Sequence, residues 1–116
     1  MKYVLLIYGS DRDWTNLSDE DRNAMYAEYE AVARDSAVIG GAELQAATTA
    51  TTVRVNGGGD PVTTDGPFAE TKEQLGGYFV VDCDDIDQAI TLAARIPAAR
   101  HGSVEVRPLV DRGAPA

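Results

Sequence analysis

A chain of 116 residues, 44% of them hydrophobic, has room for one domain and one modest core, and its composition excludes intrinsic disorder. With 19 Asp and Glu against 10 Lys and Arg, the formal charge of −9 repels phosphate backbones and anionic lipid, so neither nucleic acid nor a membrane is an expected partner. The single cysteine, Cys83, excludes an internal disulfide and fits a reducing, cytoplasmic compartment.

Residues 2–8 are β-branched, aromatic and aliphatic and end at a turn signal, Gly9-Ser10-Asp11, which predicts a buried strand. The apolar stretch is too short for a signal peptide, and no segment approaches the ~20 apolar residues of a membrane span. Ser18 offers an N-cap, with Asp19, Glu20 and Asp21 in the favourable first turn. Met25, Tyr29, Val32 and Ser36 then form one stripe of an amphipathic helix, which Gly40-Gly41 is expected to end. The Thr- and Val-rich stretch from Glu43 to Asp65 holds two short strands around Asn56-Gly57-Gly58-Gly59-Asp60, a hairpin with a long tip.

Gly76 to Cys83 reads as a strand, and Asp84 or Asp85 as the cap of a second helix. That helix is expected to bury Ile86, Ala89, Ile90 and Ala93 on one face and to stop at Pro97. Ser103-Val104-Glu105-Val106-Arg107 alternates strictly, the mark of a strand buried on one side. The domain thus spans residues 1–110, and 111–116 form a frayed tail. The order is βαββαβ, an α+β ferredoxin-like unit with an inserted hairpin. Two helices cover one face of a four-stranded sheet. The other face, where Glu105 and Arg107 sit, needs a partner, and a homodimer with a cavity between sheets is expected.

Three segments carry a resemblance. The run from Asp65-Gly66-Pro67-Phe68 through Glu70-Thr71-Lys72-Glu73-Gln74-Leu75-Gly76-Gly77-Tyr78 is similar to the signature of the DGPF branch of the YCII-related proteins. Pro97 to Pro108 resembles that family's C-terminal pattern, and Tyr3 to Tyr8 its first strand. The resemblance implies a dimeric α+β barrel, two ferredoxin-like sheets with their open faces together. It implies less about activity: a histidine–aspartate pair is proposed as catalytic in the YciI branch, one relative of which acts as a dehydrochlorinase, and this chain resembles the other branch.

Among the residues, His101 alone has an unperturbed pKa near neutrality, and Asp65 is its candidate orienting carboxylate if the Asp65 turn folds over the cavity mouth. The other reading of His101 is a loop residue bonded to a backbone carbonyl. Arg107 is a candidate clamp for a small anionic ligand beside Glu105, or the two form a salt bridge. Tyr8 and Tyr78 line the cavity or pack, and Phe68 plugs an apolar hole, with Glu70 to Gln74 as a short helical turn. One histidine and one cysteine give no metal set, no cofactor motif is present, and Cys83 beside three aspartates has poor thiolate character. The function expected is acid–base chemistry on a small anionic molecule, or a non-catalytic binding module of the same fold.

Overall fold

The computed structural model describes residues 1–10, 15–69 and 71–113. Strand β1 (Lys2–Gly9) is followed by helix α1 (Asp19–Ala33) and strand β2 (Val38–Glu43). After a 3-10 turn at Ala47–Thr49 come β3 (Thr51–Val55), β4 (Pro61–Asp65) and β5 (Gln74–Asp82). Helix α2 (Ile86–Ala94), the one-turn helix α3 (Ala98–His101) and β6 (Ser103–Pro108) complete the described chain. The main sheet has the order β2-β5-β1-β6, every neighbour antiparallel, which is compatible with a ferredoxin-like arrangement. The hairpin β3–β4 forms a sheet of its own.

The local chemistry explains most element ends. The Ser18 hydroxyl accepts from the Asp21 amide at 3.1 Å and opens α1. At α2 the Asp85 carboxylate accepts from the Gln88 amide at 3.0 Å, while the Gln88 side-chain oxygen accepts from the Asp84 amide at 2.8 Å. At the hairpin tip, Asn56 Oδ1 accepts from the amides of Gly58 and Asp60 at 2.9 and 3.1 Å, a side chain standing in for backbone.

Helix α1 does not run to Gly40-Gly41. It stops at Ala33, because Asp35 folds the chain back by accepting from the Ala37 amide at 3.0 Å and is held there by Arg95 at 3.0 Å. The Ala37 amide, and then Arg95, lower the Asp35 carboxyl below its ordinary value against an opposing effect of burial. Both glycines instead belong to β2, the edge strand, which supplies the second strand of the unit in place of the Thr-rich hairpin.

The core lies between the helices and one face of the sheet. Tyr3, Leu5, Val81 and Cys83 meet Val32 from α1, Ala89, Leu92 and Ala93 from α2, and Ile96. Val32 faces the sheet as expected, but Ile86 and Ile90 are 45% and 50% exposed. The buried stripe of α2 is Ala89, Leu92, Ala93 and then Ile96, and two alanines on it let the helix sit close to the sheet. Burial, followed by the nearby Asp82 carboxylate, pushes the Cys83 thiol up.

On the other sheet face, Val4 and Leu6 stand beside Val80 and Tyr78 on one side and Arg107 and Glu105 on the other. Thr71 to Glu73 are irregular, not helical, and Gln74 already belongs to β5; Glu70 lies outside the described residues. So do Asp11 of the first turn and residues 114–116 of the tail.

Candidate functional site

A cleft opens between α1 and the sheet, and part of its floor is glycine backbone. Gly77 pairs with Ile7, and Gly41 with Phe79, on the face that α1 covers. A Cβ on Gly77 would come within 2.9 Å of the Ala42 carbonyl oxygen, so the close approach of β2 and β5 requires glycine there. The cleft has a volume of about 650 Å³, the size of a small-ligand site.

Met25, Tyr26, Tyr29, Glu30 and Ala33 line the helix side of the cleft, and their spacing of three and four places them on one stripe. Glu43, at the end of β2, accepts a hydrogen bond from the Tyr26 hydroxyl at 3.4 Å. Burial and then Glu43 push the Tyr26 hydroxyl above its ordinary value. Burial also raises that of Tyr29, with the Ala98 backbone amide opposing. Both hydroxyls therefore stay protonated, as donors, at neutral pH.

His101 reaches the cleft from α3, the short helix that Pro97 opens. Arg100 fixes α3 on α1 by gripping both Glu28 oxygens at 2.9 and 3.1 Å. Its other end rests on β1, where Gly102 packs against the Tyr8 backbone. Within this frame the His101 side chain is exposed and makes no hydrogen bond or ion pair to the described residues.

The other residues singled out from sequence fall in different places. Tyr8 and Tyr78 border the same cleft as His101. Asp65 ends β4 opposite Thr51, exposed, borders neither hollow described here, and is joined to His101 by no hydrogen bond or ion pair in this chain. Phe68 plugs nothing: it is 76% exposed and its ring takes the Arg54 guanidinium at 5.2 Å from the centroid. With Pro67 it borders a second, shallower hollow that shares Tyr8, Leu44 and Gln74 with the first. Arg107 and Glu105 lie on the open sheet face and form an ion pair at 2.6 Å. Arg107 is thus already matched by a carboxylate and stands away from His101's cleft. Tyr29 was read from sequence only as part of the packing stripe of α1, and Tyr26 and Glu43 were not singled out; the spacing of Tyr26, Tyr29 and Glu30 is the signal for the two tyrosines.

The YCII-related domain matches residues 1–112. The chain belongs to the YCII-related family. An uncharacterized protein of Rhizobium meliloti (strain 1021) is similar to this YCII-related chain at 36% identity over 115 residues, covering 94% of this chain and 92% of that protein. Neither similarity carries a reaction or ligand, so any chemistry of this YCII-related domain rests on its own side chains. Among the described residues no group of three or more His, Cys, Asp or Glu side chains is placed to hold a metal ion, and no helix is long and apolar enough to cross a membrane.

Proposed function

We propose that this YCII-related protein binds a small organic molecule in the cleft between α1 and the sheet, with His101 as the group that meets the polar end of that molecule. The observation that carries this reading is the 650 Å³ cleft itself, walled by Tyr26, Tyr29, Met25 and Phe79 and bordered by His101, the chain's one histidine. An apolar body held by aromatic walls, with a few convergent polar groups, is the usual make-up of a ligand site. Binding is favoured over catalysis because, among the described residues, no carboxylate is hydrogen-bonded or ion-paired to His101. Acid–base chemistry with Asp65 is the second reading, and it needs the pair to meet across two subunits.

The test is a small-molecule screen read by amide shifts in wild type and His101→Ala. Ligands of the cleft are expected to shift Glu43, Gly77 and Gly102, and His101→Ala to weaken them about three- to tenfold, the worth of one hydrogen bond. Unchanged affinity in the variant would remove His101 from the site. Loss of turnover in both His101→Ala and Asp65→Asn, with binding retained, would instead establish catalysis by the pair.

We further propose that the protein is a homodimer joined through the open sheet face. Val4, Leu6 and Val80 are only half-buried there beside the Glu105–Arg107 pair, a mixed apolar and charged surface that a second sheet would cover. Light scattering at micromolar concentration is expected to give about twice the 12.4 kDa chain mass. A monomer at that concentration would leave the sheet face without its partner.

A further inference from the structure

The charges around the cleft are lopsided. Among the described residues that border it there is no Lys or Arg; the ionisable side chains are Glu30, Glu43, His101 and the tyrosines. Three arginines lie near the cleft, each with a carboxylate partner: Arg100 with both oxygens of Glu28, Arg22, whose charge also acts on Tyr26, with Asp19 at 3.1 Å, and Arg34 with Glu30 at 3.6 Å. Glu30 is thus partly neutralised by Arg34. Among the described residues the partner of Glu43 is the neutral Tyr26 hydroxyl, which leaves its charge in place. A net charge of −9 over the whole chain works in the same direction and discourages the entry of anions.

We infer that the cleft takes an amine: a small molecule with an aromatic or apolar body and a protonated nitrogen, with Glu43 as its counter-charge and the Tyr26 and Tyr29 rings as its neighbours. This deepens the proposed function and rests on the cleft being the ligand site. The Tyr26 hydroxyl holds the Glu43 carboxylate in position, and the apolar wall of Met25, Ile7 and Phe79 receives the hydrocarbon part. An ammonium beside tyrosine rings gains from their negative faces as well as from the carboxylate. A carboxylate ligand in the same place would face Glu43 across a site that offers it only His101. The sign is the reverse of that suggested by Arg107, which the fold puts on the open sheet face with Glu105.

Three probes of one shape decide the matter: phenethylamine, 2-phenylethanol and phenylacetate, titrated against the full chain with amide shifts as readout. Phenethylamine is expected to bind about five- to tenfold tighter than 2-phenylethanol, with phenylacetate weakest, which is the scale of one ion pair plus a cation–π contact. Glu43→Gln keeps an acceptor for Tyr26 and removes the charge, so it is expected to abolish the preference for the amine over the alcohol. Phenylacetate binding in the cleft as tightly as the amine would overturn the charge assignment while leaving the cleft as the site. An amine preference that survives Glu43→Gln would overturn Glu43 as the counter-charge. If none of the three probes shifts the amides of Glu43, Gly77 or Gly102 up to its solubility limit, the cleft itself is not the site and both readings fail.

Discussion

Leu5→Ala is expected to cost about 3–5 kcal/mol of folding stability, the upper part of the range for a leucine removed from a closed core. Leu5 is fully buried, with Phe79 and Val106 as its cross-strand neighbours in the middle of the sheet. Neither neighbour can move in to fill the gap, since both strands hold their register against β1. Part of the penalty is the lost transfer of the side chain from water, and the rest is the cavity left behind. Ile90→Ala is the control. Ile90 is 50% exposed on α2, so truncation gives up only part of its burial, and alanine returns a few tenths through helix propensity. A loss below about 1 kcal/mol is expected there. Urea unfolding of both variants at one fixed protein concentration compares them, because a dimer would make stability depend on concentration. Equal losses would mean that α2 presents a different face to the sheet.

That contrast marks where the sequence is legible. The ends of β1, the caps Ser18 and Asp85, the Asn56 hairpin and the alternation of β6 are set by residues within a few positions, and each can be read locally. The register of the apolar residues on α2 cannot. Ile86, Ala89, Ile90 and Ala93 make one apolar stripe, and Ala89, Leu92, Ala93 and Ile96 make another that overlaps it. The fold buries the second, and only the packing of α2 on the sheet decides between Leu92 with Ile96 and Ile86 with Ile90. Strand β2 is harder still: Val38-Ile39-Gly40-Gly41-Ala42-Glu43 has neither alternation nor strong strand formers throughout. Its extended form depends on pairing with β5, a partner distant in sequence, where Val38 meets Val81 and Glu43 meets Gly77.

The candidate site divides in the same way. His101 can be found by counting, as the only histidine, and Tyr8 and Tyr78 by their strands. The cleft cannot be found so, because its lining is drawn from α1, β1, β2, β5 and α3, which no local pattern links. Asp65 and His101 look like a pair on a sequence because both flank strong turn signals. In the folded chain one stands on the separate hairpin sheet and the other on α3, so their distance in one subunit is fixed by elements that share no local pattern.

Gly102→Ala is expected to be the most damaging small substitution near the cleft. A Cβ on Gly102 would collide with the carbonyl oxygen of Tyr8, and it would also lie 3.1 Å from Gly9 Cα. All of these atoms are backbone, so no side chain can swing away and the strands themselves must part. Overpacking of this kind costs about 1–3 kcal/mol, and the upper end is expected because β6 starts here, with Ser103 opposite Tyr8. The Ser103 hydroxyl also donates to Glu73 at 2.9 Å, so a shift at Gly102 carries to the segment that leads into β5. The site responds as well: His101 precedes Gly102 directly, and moving α3 off β1 moves the imidazole away from Tyr26 and Tyr29. Gly57→Ala, on the hairpin tip with nothing within 4 Å, is the matched control and is expected to be nearly silent. Chemical unfolding gives the stability difference, and amide shifts at Tyr8, His101 and Ser103 report the local displacement. A Gly102→Ala chain as stable as Gly57→Ala, with those amides unmoved, would show that α3 does not rest on β1 and that His101 is placed by something other than this contact.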